Sequence, residues 1–267
     1  FGSDGFTLGD SGAYNGNNTP YVAWNWKAGT TGSGTTTGSG TGKAYSYSVS
    51  TAAGFSIVQY LGNGTAAHTI PHHLGAIPRM IIVKKNADAE WQVYHASIGN
   101  GNVLHLDTAS AVEDVTNRWN DTTPTSSVFA IGTSGNVNAN DVRYIAYCFA
   151  EKKGYLKTGK WTGNGNANGP FSYTGFKPAF ILIKRTDVAK NWYINDNLRL
   201  GYNPSNPYLS PNITAAETGG TEIDILSNGF KIRAGGTGHN QSGGTYIYMA
   251  FAEQPLVTST GVPATAR

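Results

Sequence analysis

The sequence predicts an all-β protein: two tandem β-sandwich-like repeats of ~100 residues each, preceded by the last strands of an incomplete third. Three observations carry this. A phrase returns three times, as Tyr21-Val-Ala-Trp-Asn-Trp-Lys-Ala28, Tyr144-Ile-Ala-Tyr-Cys-Phe-Ala-Glu151 and Tyr246-Ile-Tyr-Met-Ala-Phe-Ala-Glu253. Its last two copies lie 102 residues apart (144 to 246). Short runs of Val, Ile, Tyr, Phe and Trp are joined by turns rich in Gly and Asn, with 35 glycines in 267 residues and only 13% charged side chains. Such runs, bounded by turn residues, are strand signals.

Residues 1–28 match only the end of a repeat. Gly5-Phe6-Thr-Leu8 resembles Val128-Phe129-Ala-Ile131 and Gly229-Phe230-Lys-Ile232, and the first closing phrase follows it. Two strands alone are marginal in water. Phe6, Tyr21, Trp24 and Trp26 therefore need a surface to cover. The upstream part of that unit has been removed, or the strands complete a sheet in a neighbour; the sequence favours the first.

Residues 29–53 read as a flexible Gly/Ser/Thr linker. The first two closing phrases are 123 residues apart (21 to 144), an excess of 21 over the later interval of 102, and it falls in this tract. A flexible chain of that length reaches about 25 Å.

Residues 54–153 and 154–255 then align almost end to end, and residues 256–267 form a C-terminal tail. Met80-Ile-Ile-Val83 and Phe180-Ile-Leu-Ile183 are continuous apolar runs, as expected of strands buried on both faces. Pro78 and Pro178 stand at the start of these strands, where a missing N–H is tolerated. In the closing strand Ile145, Tyr147 and Phe149 point one way, and Tyr144, Ala146, Cys148 and Ala150 the other. One bulky and one small face place it centrally in a sheet, packed closely on a neighbour. Asn-Gly at 63–64 and 228–229 signals hairpin turns.

Composition narrows the function. A net charge of +3, from 19 basic and 16 acidic residues without a Lys/Arg cluster, argues against nucleic acid as partner. The single cysteine, Cys148, excludes an internal disulfide framework and reads as a buried, inert thiol. No apolar run approaches the ~18 residues of a membrane-spanning helix, so no membrane insertion is expected.

Catalytic motifs are absent: no Gly-x-Ser-x-Gly elbow, phosphate-binding glycine loop or His-Glu-x-x-His occurs. Glu113, Asp114 and Asp121 near Trp119, and Glu222 with Asp224, could supply the carboxylate pair of a glycosidase, but they read as solvated loop acids. Glu151 and Glu253 recur at the end of the closing strand, which indicates a structural cap or pairing. His68, His72 and His73 could form half of a zinc or nickel site. No further ligand lies beside them, and the matching stretch 166–173 has no histidine, so no metal and no cofactor is expected.

Aromatics are the remaining lead, at 12% of the chain. The pairs Trp91/Trp192 and Tyr60/Trp161 are repeat-equivalent and read as core. Features that break the repeat are better candidates for ligand contact: Trp119 and Asp121 in Thr116-Asn-Arg-Trp-Asn-Asp121, and Tyr202 and Tyr208 in Tyr202-Asn-Pro-Ser-Asn-Pro-Tyr208.

The phrases Gly54-Phe-Ser-Ile-Val58, Thr162-Gly-Asn-Gly165, Tyr144 to Glu151, Phe180-Ile-Leu-Ile-Lys-Arg-Thr186, Leu226-Ser-Asn-Gly-Phe-Lys-Ile232 and Thr245 to Glu253 resemble a family of tandem β-repeat modules. Those modules are found near the C-terminus of large virion-associated, tail-fibre-like proteins of tailed phages, often phages of marine bacteria. The resemblance implies that Phe1 is not a translation start and that Arg267 is the native end. It also implies a place on the virion surface, and as partners other virion proteins, further copies of the chain (a trimer in fibres) and a host surface glycan. It supplies no active-site residues. The expected function is a structural and adhesive module of a tail fibre, spike or surface fibre, and not an enzyme. The alternatives are a polysaccharide-cleaving depolymerase using acids such as Asp121 or Glu222, and a passive capsid-decoration or inter-subunit protein.

Overall fold

A computed structural model describes residues 5–199, 203, 207–236 and 238–252. In chain order the strands begin with β1 (Thr30–Thr35), β2 (Thr37–Gly38) and β3 (Ala44–Ser50). The first unit adds β4 (Phe55–Leu61), β5 (His68–Pro71), β6 (Met80–Lys85), β7 (Gln92–His95), β8 (Asn102–His105), β9 (Glu113–Asp114), β10 (Val128–Ile131) and β11 (Arg143–Phe149). The second adds β12 (Leu156–Thr162), β13 (Phe171–Tyr173), β14 (Pro178–Arg185), β15 (Trp192–Asp196), β16 (Tyr208–Leu209), β17 (Ile223–Leu226), β18 (Gly229–Ile232) and β19 (Thr245–Ala252). Two single-turn helices, α1 (Gly12–Asn15) and α2 (Gly135–Asn138), are the helical segments among the described residues. The fold is all-β.

The strands form four antiparallel sheets. An inner sheet in the order β1-β3-β4-β11-β6-β7-β8-β9 and an outer sheet β10-β5-β2 make the first unit. The order β12-β19-β14-β15-β16 with the outer sheet β13-β18-β17 makes the second. Both closing strands, β11 and β19, are central: each is flanked by the first strand and the Pro-preceded or Pro-started strand of its unit.

The two faces of the closing strands have different tasks. Tyr144, Ala146 and Cys148 of β11 face the first outer sheet, where Ile70, Phe129 and Ile131 meet them. Tyr246, Tyr248 and Ala250 of β19 face Ile223, Ile225, Phe230 and Ile232 of the second outer sheet. The bulky faces meet each other. Phe149 with Phe55, Met80, Ile82, Val93 and Leu104 packs against Phe251, Met249 and Ile247 with Leu156, Phe180, Leu182, Trp192 and Ile194. The described residues thus form a stack of four sheets with three apolar cores, and the central strands of both inner sheets are buried on both faces. That is why β6 and β14 read as unbroken apolar runs.

Polar contacts fix this seam. Trp192 Nε1 donates to the His105 carbonyl at 2.7 Å, and Val112 N to the Thr186 carbonyl at 2.9 Å. His95 is fully buried. Its Nδ1 accepts from Ser97 N at 3.1 Å, so Nε2 carries the proton and donates across the seam to the Tyr248 carbonyl at 3.1 Å.

Each unit also holds its Gly-Asn-Gly turn in the same way. Buried Asn138 accepts from Asn63 N at 2.8 Å and donates to the Thr65 and Gly132 carbonyls. Buried Asn240 accepts from Asn164 N at 2.9 Å and donates to the Asn166 and Ala234 carbonyls. Gly62 and Gly163 are required there, because a Cβ would collide with the Ala139 and Gln241 carbonyls respectively. The turns at 63–64 and 164–165 carry the chain from inner to outer sheet and are not hairpins. In the β17–β18 hairpin the connecting residues are Ser227 and Asn228, and Gly229 is already paired with Leu226.

Two further expectations are corrected. Residues 29–53 are not a flexible linker: β1 and β3 extend the first inner sheet, and β2 extends the outer one. Gly32 pairs with Tyr47 and Gly34 with Tyr45. The tyrosine rings lie so close over the glycines that a Cβ at Gly32 would be 2.6 Å from Tyr47 Oη, and one at Gly34 2.9 Å from the Tyr45 ring. Aromatic cover compensates for the packing surface that glycine lacks in a strand. His68 secures β2 from below, with Nε2 2.7 Å from Thr36 Oγ1.

The first closing phrase forms no strand, and neither does any other part of residues 5–28. No strand is positioned to pair with it, so its side chains settle on the seam instead. Trp24 packs edge-on to Phe180 (ring centroids 5.6 Å), and Trp26 contacts Phe180 (5.3 Å) and Phe251 (5.2 Å). The chain itself supplies their cover. The C-terminal tail and Glu253 lie outside the described residues.

Burial holds both His72 and His95 neutral, with pKa values lowered to about 4. The unfolded chain binds these protons near pH 6.5 and the folded chain does not. Stability is therefore present above pH 6.5 and lost as pH falls from 6.5 towards 4, by about 3 kcal/mol per histidine. Urea unfolding at pH 7 and at about pH 4.5 is expected to show a lower midpoint in acid, with a smaller pH slope for His95→Gln.

Candidate functional site

The four sequence-predicted ligand residues separate. Trp119 is 2% exposed, stands edge-on to Tyr94 (6.0 Å) and donates from Nε1 to the Asn102 carbonyl at 3.1 Å. It is a core residue of the first unit. Asp121 is exposed, in a left-handed conformation with φ 45°. Tyr202 lies outside the described residues. Tyr208 is half-buried and belongs to a polar–aromatic cluster: its ring is edge-on to Tyr193 (5.0 Å) and 5.5 Å from that of His239.

His239 is buried, and its Nδ1 is 3.3 Å from Glu222 Oε2. The hydrogen bond from His239 holds the Glu222 carboxyl below the usual carboxylate range. Asp224 is 3.3 Å from Arg233 Nε. In the first unit buried His105 lies between Glu90 (3.2 Å) and Glu113 (3.3 Å); Glu113 lacks hydrogen-bond alignment. The acids expected to be solvated thus include two, Glu113 and Glu222, that face buried imidazoles.

His68, His72 and His73 go to different partners. His68 binds Thr36, the Ser39 carbonyl and Asn63. His72 binds the Thr125 carbonyl and Leu74 N. His73 stacks on Tyr47 at 3.7 Å with its Nε2 2.9 Å from Tyr45 Oη. Among the described residues no three His, Cys, Asp or Glu side chains are placed to hold a metal ion. Burial pushes the Cys148 thiol far above its ordinary value.

One concave surface was not legible as a site. A groove of about 440 Å³ lies in the second unit between β12 and the end of β13, both edge strands of their sheets. Glu151, Lys152, Lys153 and Lys157 line one side, and Tyr173 and Thr174 the other. Its volume is that of a small-ligand site, within about 300–1,000 Å³. Because strand side chains alternate, β13 turns Ser172 inward and presents Phe171 (45% exposed) and Tyr173 (63% exposed) outward. Tyr173 packs against Gly175, with ring atoms 3.7 Å from where a Cβ would be.

Glu151 gives the opposite wall its shape. Oε1 accepts from Thr158 N (3.1 Å) and Thr158 Oγ1 (2.9 Å), and Oε2 pairs with Lys157 at 2.9 Å. Burial raises its pKa, but the hydrogen bonds from Lys157 and Thr158 outweigh burial and leave it below the ordinary value. The sequence signal was present: Lys152-Lys153-Gly154 at the junction and the Phe-x-Tyr alternation at 171–173. Only folding brings them together.

This arrangement of stacked antiparallel sheets, with a groove between the edge strands of two sheets, defines an all-β protein. Residues 1–255 match the family described as a domain of unknown function (DUF7483), and the chain belongs to that family. No match exists among curated proteins or solved structures.

Trp119→Ala is expected to lower stability by about 3–5 kcal/mol, as a buried Trp truncation does. Asp121→Asn should change it by less than about 0.5 kcal/mol, as at an ordinary surface position. Chemical denaturation of the two variants reads both; a stable Trp119→Ala would return Trp119 to the surface.

Proposed function

We propose that this chain is a structural and adhesive module of a bacteriophage particle, part of a tail fibre, spike or surface fibre, that binds a host surface glycan. The observation that carries the reading is the groove beside Tyr173, with Phe171 exposed on the same strand face. An exposed aromatic ring beside polar groups is suited to stacking on a sugar ring while neighbouring side chains contact its hydroxyls. Support also comes from the recurring phrases similar to virion-associated repeat modules. The four-sheet stack is the platform: Tyr173 stands on β13, and the opposite wall is the short turn between β11 and β12 together with β12.

A depolymerase is less well supported. A glycosidase acid needs a raised pKa, whereas Glu222 is held low by His239 and Asp121 stands alone on an exposed turn.

A glycan array of bacterial capsular and lipopolysaccharide oligosaccharides tests the reading. Binding to a subset is expected, weakened about tenfold or more by Tyr173→Ala, as for truncation of a central aromatic contact. Binding to none would contradict adhesion, and release of new reducing ends would establish the depolymerase instead.

A further inference from the structure

We infer that the groove selects a saccharide carrying an anionic substituent, a carboxylate or a phosphate, with Tyr173 as the ring platform and Lys152 and Lys153 as the charge contacts. This rests on the glycan-binding reading and names the ligand class of the same site.

The argument is one of local charge. Three lysines and one glutamate line the groove, a balance of +2 (3 − 1). The whole chain carries only +3, so this is a local concentration and not the property of a basic protein. Lys157 is already answered by Glu151 at 2.9 Å, and the other Glu151 oxygen is occupied by Thr158. Lys152 and Lys153 have no ion-pair or hydrogen-bond partner for their ammonium groups among the described residues. Elsewhere Lys43 is answered by Asp141, Lys184 by the Arg185 carbonyl and Lys231 by the Gly169 carbonyl. Lys27, Lys85, Lys160 and Lys190 are scattered lysines whose ammonium groups likewise have no partner among the described residues. What sets Lys152 and Lys153 apart is that they are adjacent and line a groove. The Lys152 stem lies over Gly54, where a Cβ would be 2.8 Å from its Cγ. The stem is thereby seated at the groove wall while the backbone pairs with Leu156 through the Lys152–Leu156 bridge.

A neutral sugar uses hydrogen-bond donors and acceptors of both kinds. Two adjacent ammonium groups offer donors only, with charge. A compact lysine ammonium suits a carboxylate or phosphate oxygen without demanding bidentate geometry. Tyr173 adds what a bare cationic patch lacks, a flat apolar face for the ring.

The test is NMR titration of the whole chain with glucose, glucuronate and glucose 6-phosphate, followed at the amides of Lys152, Lys153 and Tyr173. Both anionic sugars are expected to bind about tenfold more tightly than glucose, the sum of two exposed charge contacts. The advantage should disappear at about 1 M NaCl, where charges are screened within a few ångströms, and in the Lys152→Gln/Lys153→Gln variant. Comparing the two anions tells carboxylate from phosphate. Tyr173→Ala, at an exposed position, should weaken all three sugars. Equal binding of glucose and the anions, or an unchanged anion preference in the lysine variant, overturns the inference and leaves glycan binding standing. Anion binding indifferent to Tyr173→Ala would make the groove a plain polyanion patch and also overturn it. If none of the three sugars perturbs these amides, the glycan reading at this groove falls with it.

Discussion

The seam between the two inner sheets is the constraint on which the rest of the structure depends. Neither inner sheet can be solvated on its second face: Met80, Ile82 and Phe149 on one side, and Phe180, Leu182, Met249 and Phe251 on the other, would be exposed. Each such side chain contributes about 1.5–3 kcal/mol when buried. Face-to-face packing buries them together and turns two sandwiches into four layers. The hydrogen bonds of Trp192 and His95 then fix the lateral position, because buried donors left without partners would be costly. The groove inherits its rigidity from this arrangement, as β12 is hydrogen-bonded along its length to the doubly buried β19.

The same seam explains the N-terminal segment. Positions 24 and 26 correspond to the bulky-face positions 147 and 149 of the closing phrase. Trp24 and Trp26 point into the apolar seam although no strand carries them there, while Tyr21 and Val22 remain exposed. The two tryptophans thus take the place of Tyr147 and Phe149 on the seam without a sheet, whereas Val22, equivalent to Ile145, does not. Residues 29–53 show the converse. Within them Thr30–Thr35, which has no apolar side chain, becomes a strand because Tyr45 and Tyr47 cover Gly34 and Gly32 from the neighbouring strand.

Much of the fold was legible in the sequence. The central position of the closing strand, its two unlike faces and the doubly buried β6 and β14 all followed from alternation and apolar runs. What the bulky face meets was not legible, because alternation says that a face is buried but not against what. The ordering of residues 29–53 was missed because composition ignores cross-strand partners, although Gly-x-Gly and Tyr-x-Tyr share a period of two. For the site, asymmetry between the units misdirected attention to Trp119, whose ring fills the core. The groove joins Lys152 and Lys153 with Tyr173, about 20 residues apart, through the edges of two different sheets. Such a meeting is a property of topology and leaves no local mark in the chain.

If the seam governs the fold, damage on one side of it must be felt on the other. Native-state hydrogen exchange of Phe180→Ala, a seam residue of the second unit, tests this most directly. The account predicts reduced protection in β6, β7 and β11 of the first unit as well as in β14 and β19, and a single cooperative unfolding transition. Loss of protection confined to the second unit, with two separate transitions, would contradict it.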